Sequence, residues 1–459
     1  MTDMNKRIKL MQYFFVFCFL SISIYIMYFN FFQAKYIYSN SYNKRLRKED
    51  TNIIRGDITD RNDNILVHSQ MHKDNINRIY KYSRHFSHLI GYSAKSIGST
   101  GIEALYNTEL NTAGTVETIK SKAIGNRIKG NTVKLTVDKE LQIYASELLK
   151  NKKGAIVALN PKTGEILAMV SKPDYNPSNI TKNWNNLIKD SNSPLLNRAT
   201  DGFYPPGSIF KVVVSAAALR NNIIDYEIDC MGKVNIEGYE IKDSGEKQHG
   251  TVNLDKAFTQ SCNSYFVHLG IKLGSNSLRN EAIKFKFNKS LQSTMKLKGG
   301  SFVSKNDNKN IAQQSIGQGE VLVTPLHAAL IASTIANEGI MVEPYIIYSI
   351  ADSNGKIIKT FKSKNSEKII DKNNAEKIKE LMIDVVQSGT GKNAKISGIQ
   401  VAGKTGTAEN PQGKPHSWFI GFAPADNPNI AIAVIIENGG GGSSNAAPIA
   451  GKIVRKAVK

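Results

Sequence analysis

The sequence predicts an α+β protein carried on a membrane anchor. Three observations predict it: an uncharged apolar run near the N-terminus, an early strand pair followed by a mostly helical middle, and three further strands close to the C-terminus. Strands so far apart can make one five-stranded sheet only if the helical part is a long insertion between the second and the third. The first and last helices would then cover one face of that sheet. The chain has 459 residues, room for two or three domains including one with a large core. Its composition, 41% apolar and 22% charged, is that of a folded chain and requires no long disordered region.

No charge lies between Lys9 and Lys35, and residues 10–32 are dominated by Phe, Ile, Tyr, Val and Leu, long enough to span a bilayer. Lys6, Arg7 and Lys9 precede the run and favour a cytoplasmic N-terminus, although Lys35, Lys44, Arg45, Arg47 and Lys48 beyond it weaken the charge asymmetry. The apolar core is too long for a cleaved signal peptide, and Phe32-Gln33-Ala34-Lys35 lacks a small-x-small site. An uncleaved single-pass anchor with an extracytoplasmic C-terminal part is therefore expected. Residues 39–50 read as a basic linker. Residues 52–67 alternate around Asn62-Asp63-Asn64 as a hairpin. His88-Leu89-Ile90-Gly91-Tyr92 and residues 98–107 add short apolar runs, a glycine-rich stretch and a short helix, which together predict a small mixed domain ending near residues 133–136.

Asp138 is a good N-cap for a helix over 138–151. Residues 154–159 and 165–170 form a hairpin around Asn160-Pro161-Lys162-Thr163-Gly164. The stretch 172–200 reads as polar loop. Helices follow over 208–219, 254–274, 325–337 and 373–386, then strands over 398–407, 417–423 and 430–437, and a last helix over 446–458.

The net charge of +21 suits nucleic acid, an anionic membrane surface or an anionic extracellular polymer. An anchored, exported chain removes nucleic acid from that set. Three cysteines are too few for a disulfide scaffold. Cys18 lies in the anchor. Cys230 and Cys262 could pair, or with His249 and Asp243 hold a metal, but the spacing fits no standard zinc signature, so two buried thiols and no metal are expected.

The chemistry centres on Tyr204-Pro205-Pro206-Gly207-Ser208-Ile209-Phe210-Lys211. The Pro-Pro-Gly turn leads into a helix whose first turn contains Ser208, where unpaired NH groups and the positive dipole end favour a developing anion. Lys211 lies one turn on, on the same face, and is the only charge between Gly202 and Leu219. Burial lowers a lysine's pKa towards a neutral amine that can take a proton from a hydroxyl, so Ser208 reads as nucleophile and Lys211 as its base. Ser-x-x-Lys alone recurs by chance, and most helix lysines are solvated. Two downstream stretches make the pattern specific. Ser261-Cys262-Asn263 opens an apolar run and can present Ser261 and Asn263 from alternate positions. Lys404-Thr405-Gly406-Thr407 lies in a strand, where Gly406 lets an extended ligand approach as an added strand while Lys404 and the hydroxyls meet its terminal carboxylate.

Ser-x-x-Lys, Ser-x-Asn and Lys-Thr-Gly, in this order and at wide spacing, are the signature of penicillin-binding proteins and class A β-lactamases. The chain resembles a class B penicillin-binding protein, a membrane-anchored D,D-transpeptidase of peptidoglycan synthesis, in a compact form. Arg55-Gly56 with Asp60-Arg61-Asn62, and Gly101-Ile102-Glu103 with Tyr106, resemble membrane-proximal motifs of that family. Gln318-Gly319 with Thr324-Pro325, and Thr407-Ala408, extend the likeness through the catalytic part; Asp63 departs from the glycine usual in the hairpin turn.

The resemblance implies a serine β-lactamase/D,D-transpeptidase-like fold, a five-stranded antiparallel sheet flanked by helices with a helical subdomain. It divides the chain into tail and anchor (1–35), a membrane-proximal domain (36–135) and a penicillin-binding transpeptidase domain (136–459). It implies that Ser208 attacks the D-Ala-D-Ala carbonyl of a stem peptide and that Lys211 takes its proton. Ser261 with Lys404 would relay a proton to the leaving amine, and Asn263 would orient Lys211 and hold the substrate amide. The NH groups of Ser208 and Thr407 would form the oxyanion hole, and Lys404, Thr405 and Thr407, beside Gly406, would hold the substrate carboxylate. β-Lactams would acylate Ser208, no metal or organic cofactor is called for, and a polytopic SEDS-type glycan polymerase is the implied partner. A β-lactamase or β-lactam sensor shares the three motifs, but no acidic residue in a suitable loop presents itself to activate a deacylating water. A D,D-carboxypeptidase differs only in its acyl acceptor, and an inactive wall-assembly scaffold would not need the intact set.

Overall fold

The computed structural model describes residues 2–29, 53–72, 75–114, 127–291, 297–363, 365–411 and 413–458. The expected linker at 39–50 lies outside them. Helix α1 spans Thr2–Tyr28, and its stretch Met4–Tyr28, exposed and with a mean hydropathy of 2.0, is long and apolar enough to cross a membrane. Strands β1 (Ile58–Thr59), β2 (Ile65–His72), β3 (Asn75–Tyr80) and β4 (Thr132–Leu135) lead to α2 (Lys139–Leu148), whose first turn is capped by Asp138 accepting from Leu141 N. There follow β5 (Gly154–Leu159), β6 (Ile166–Lys172), α3 (Ile180–Lys189), α4 (Lys211–Arg220), α5 (Leu254–Gln260), α6 (Asn263–Lys284) and α7 (Pro325–Ala336). Then come β7 (Ile347–Ala351), β8 (Ile357–Thr360), α8 (Lys372–Gln387), β9 (Ala402–Ala408), β10 (His416–Ala423), β11 (Ile430–Ile436) and α9 (Ala446–Val458).

The early pair and the three late strands do make one sheet, antiparallel throughout, in the order β6-β5-β11-β10-β9. All five strands are almost wholly buried, because both faces are covered. Alternation sorts the side chains: Ile156, Ala158, Ile432 and Val434 pack beneath α2 and α9, as expected for the first and last helices, while Val157, Ala433 and Trp418 face the helical core that contains α7.

A second sheet has the order β8-β7-β4-β1-β2-β3. Its outer strands β7 and β8 come from far along the chain, so the sheet begun by the early hairpin is completed by residues after α7. Asp63 holds the hairpin turn at a φ of 62°, a left-handed conformation that aspartate tolerates in place of glycine. The two membrane-proximal motifs meet in this region. Arg55 Nε donates to Glu103 Oε2 at 2.5 Å and Arg78 Nε to Glu103 Oε1 at 2.8 Å, and the carboxylate is completely buried.

Several local expectations are corrected. The stretch 172–200 is largely helical: Asn176 caps a 3-10 turn with Pro177 at its start, which runs into α3, and a short helix covers Arg198–Asp201. Ile180, Trp184 and Leu187 line one side of α3 and pack on Tyr92 and Tyr175, a stripe that the polar residues around it hid. The strand expected from residue 398 starts at Ala402, because residues 396–399 close a turn with Gly398 at a φ of 77°.

Glu103 is the one carboxylate between two buried guanidinium groups, so truncating it strands both. Glu103→Ala is expected to destabilise the folded protein by about 3–5 kcal/mol, read as a fall in the urea midpoint at unchanged m.

Candidate active site

Ser208 is placed by a dense set of bonds to the segment before it. Tyr204 pairs through its backbone with Val323 at 3.0 and 2.8 Å. Its hydroxyl donates to Glu437 at 2.6 Å, Arg198 donates to the same carboxylate at 2.7 Å, and Trp418 Nε1 donates to the carbonyl of Pro205 at 3.0 Å. Gly207 takes a φ of 56° and donates its NH to the carbonyl of Gly317 at 2.8 Å. A Cβ at Gly317 would lie 2.1 Å from the carbonyl oxygen of Gly207, so this approach needs glycine at 317. Ser208, half-buried, then sits in a 3-10 turn (Gly207–Phe210), and Lys211, fully buried, begins α4. In a 3-10 turn residues three apart eclipse, so the two share a face.

The second wall is the turn between α5 and α6. Ser261 ends α5 in a left-handed conformation (φ 61°), and Cys262 caps α6, its sulfur accepting from Tyr265 N at 3.4 Å. Lys211 Nζ donates to the carbonyl of Ser261 at 2.8 Å and to Asn263 Oδ1 at 2.7 Å, with Ser261 Oγ at 3.4 Å. Lys404 Nζ donates to Ser261 Oγ at 2.8 Å, so this hydroxyl lies between two amines. Phe266 and Phe258 lie 5.1 and 5.6 Å beneath the two amines. Burial pushes Lys211 down to about 8, against the opposing pull of Cys262 and Asp243. Burial, then the charge of Lys211, pushes Lys404 well below its ordinary value. The arrangement favours a neutral amine next to a hydroxyl, the state a proton acceptor needs.

The third wall is β9. Lys404 and Gly406 point to one face of the strand and Thr405 and Thr407 to the other. Among the described residues β9 pairs within its sheet with β10 alone, so it is an edge strand, the place where an extended ligand can add. Thr405 Oγ1 lies 2.6 Å from Thr390 Oγ1, and Thr407 Oγ1 accepts from Gly442 N at 3.2 Å.

Hydrogen bonds thus join Lys211, Ser261, Asn263 and Lys404, while Ser208 is brought in by its turn and Thr405, Gly406 and Thr407 by their strand. The support of Asp243 was hidden in the sequence. Its carboxylate accepts from the NH of Asn263 and from Ser264 Oγ at 2.5 Å, fixing the start of α6. Thr390 and Gly442 were missed too; their only local signals are glycines in Gly389-Thr390-Gly391 and in residues 439–442.

Asp243 also belongs to a group of possible metal ligands. Cys230, Asp243, His249 and Cys262 each offer one ligand atom, all within 4.8 Å of one another. Cys230 Sγ lies 3.3 Å from Asp243 Oδ2 and 3.3 Å from His249 Nδ1. Burial pushes the Cys262 thiol far up, so a cation would have to displace its proton. Two thiols, an imidazole and a carboxylate are a donor set that could hold Zn2+ in tetrahedral coordination. Spacing alone gave two buried thiols and no metal; the fold brings these two thiols together with the imidazole and the carboxylate.

Residues 154–455 match the sequence profile of the penicillin binding protein transpeptidase domain, and residues 55–133 that of the penicillin binding protein A dimerisation domain. The peptidoglycan D,D-transpeptidase PbpA of Mycolicibacterium smegmatis is 33% identical over 423 residues, covering 83% of this chain and 84% of that protein. Among solved structures, penicillin-binding protein A from M. tuberculosis as its ceftriaxone acyl-enzyme has a TM-score of 0.85 at 30% identity, over 89% of this chain and 99% of the other. The penicillin G acyl-enzyme of that protein gives 0.82 at 31%, over 88% of this chain and 100% of the other.

If the four donors act as ligands, one equivalent of Zn2+ added to metal-free protein should raise the Tm, and Cys230→Ser with His249→Ala should abolish the rise. An unchanged Tm and no retained metal would leave a hydrogen-bonded thiol cluster.

Proposed function

Because this chain belongs to the class B penicillin-binding proteins, we propose that it is a peptidoglycan D,D-transpeptidase working through an acyl-enzyme on Ser208. The observation that carries the reading is Lys211, a buried amine of lowered pKa that begins the helix one turn after Ser208 and is held by two neutral acceptors, the Ser261 carbonyl and Asn263 Oδ1. As the amine accepts the Ser208 proton, Oγ attacks the carbonyl between the two D-alanines of a stem peptide. The negative charge on the carbonyl oxygen falls to the NH groups of Ser208 and Thr407, where losing one donor costs about 100- to 1000-fold in rate. Ser261 Oγ, bridging Lys211 and Lys404, carries a proton to the leaving D-alanine nitrogen. An amine of a second stem peptide then attacks the ester, taking the place of D-alanine and releasing Ser208. Lys404, Thr405 and Thr407 receive the substrate carboxylate at the open edge of β9, and Gly406 leaves room for its backbone. A β-lactam enters the same way and stays attached, because its leaving group remains tethered.

α1 holds the protein in the membrane with its N-terminus cytoplasmic and the catalytic region outside, the orientation that Lys6, Arg7 and Lys9 favour. The functional division follows at residues 36–135 for the membrane-proximal domain and 136–459 for the transpeptidase domain. With no glycosyltransferase module between anchor and hairpin, strand polymerisation falls to a SEDS-type polymerase that meets the anchor and the membrane-proximal domain.

A fluorescent penicillin is expected to label the wild type at about 50 kDa and to leave Ser208→Ala unlabelled, the label persisting for hours. Rapid loss of label would point to a β-lactamase instead, and no label on folded wild type would remove the catalytic reading. Lys211 carries its proton below about 8, whereas an unfolded lysine keeps it to about 10.5. Acylation should therefore rise with pH to a plateau above about 8. Between those two values the unfolded chain binds the extra proton, so the Lys211 contribution makes the folded state gain stability as pH rises and lose it as pH falls. A pH–rate profile and urea midpoints across that range measure both.

A further inference from the structure

Thr390 lies outside the three motifs, in the turn that follows α8, yet it touches both walls of the cleft. Its hydroxyl is 2.6 Å from that of Thr405 on β9, and its NH points to the carbonyl of Thr259 at 3.4 Å, two residues before Ser261. The turn is built to bring it there. The NH of Gly389 donates to Asp384 O at 3.0 Å and that of Gly391 to Val385 O at 2.8 Å, closing the end of α8. A Cβ at Gly389 would lie 2.3 Å from the Thr259 carbonyl oxygen, so only glycine lets the turn approach α5 this closely. Thr405 is nearly buried, at 5% exposure, which restricts the partners its hydroxyl can find.

We propose that Thr390 is a positioning residue that aims the Thr405 hydroxyl at the carboxylate of the substrate. A hydroxyl has one proton and can accept others. With Thr390 donating to Thr405 Oγ1, the Thr405 proton is left for an anion at the open strand edge. The chain of two hydroxyls ending on a carboxylate is stronger than an isolated one, since each bond polarises the next. Without a donor at position 390, the Thr405 hydroxyl loses this orientation, while the backbone bond of residue 390 to Thr259 remains. The inference rests on the transpeptidase reading and adds to it a residue that the substrate does not touch.

The test compares acylation of the full chain by benzylpenicillin and by its methyl ester, in which the carboxylate is masked. Wild type, Thr390→Val and Thr390→Ser are measured, valine keeping the shape and serine keeping the hydroxyl. The expected result is a loss of about tenfold for the acid in Thr390→Val, little change for the ester, and recovery for the acid in Thr390→Ser. Thr390→Val reacting with the acid as fast as wild type would overturn the proposal. So would equal losses for acid and ester that serine does not restore, since these mark a purely structural turn. Failure of the underlying reading looks different: wild type itself stays unlabelled by either compound, and the proposal falls with it.

Discussion

The structure depends on keeping a lysine amine in a dry site without a carboxylate beside it. Lys211 is buried, its hydrogen bonds go to a carbonyl and an amide oxygen, and its amine lies 5.1 Å from the centre of the Phe266 ring. A carboxylate in place of Asn263 would favour the ammonium and raise the pKa, since an opposite charge within a few ångströms stabilises the charged form. Asn263 gives geometry without that charge. Asp243, the acid closest to the turn, spends its oxygens on Asn263 N, Ser264 and Cys230, and so steadies the turn while acting on Lys211 only from a distance.

The same constraint explains why the cleft has three walls from distant parts of the chain. A dry amine needs walls on every side, and no single helix supplies them. The α4 helix brings Lys211, the α5–α6 turn brings its acceptors, and β9 brings Lys404 under the same hydroxyl. Burial, and then the charge of nearby Lys211, make the second amine costly as a cation as well. Ser261 Oγ lies within 3.4 Å of both amines.

Much of this was legible in the sequence where chemistry and local pattern coincide. The Ser208 turn, the Ser-Cys-Asn step and the Lys-Thr-Gly strand carry residue types that few other arrangements use, and the strands of the central sheet are apolar enough to declare themselves. Other parts were hidden for physical reasons. The α3 helix has an apolar stripe of three residues among many polar ones, so composition outweighed periodicity. The β7–β8 hairpin pairs with a strand more than two hundred residues away, and nothing local to Ile347 announces that β4 is its partner. Thr390 and Asp243 act through contacts with residues far off in sequence, which spacing does not encode.

The borrowed hairpin also says how the two sheets are tied together. Thr136, just past β4, donates its backbone NH to Ile346 O at 2.9 Å and its hydroxyl to Ile166 O at 2.8 Å, while Ile166 N donates to Tyr345 O at 3.0 Å. One short crossing therefore hydrogen-bonds the end of the membrane-proximal sheet to the start of β6 and to the entry of β7. On the other side of β7 in the chain lies α7, fully buried against the central sheet, whose cap Thr324 follows the Val323 that pairs with Tyr204. From the second sheet to the segment bearing Ser208 the path runs through backbone hydrogen bonds and one packed helix. The two regions are thus joined through main-chain hydrogen bonds and a buried helix, and not by side-chain contact alone.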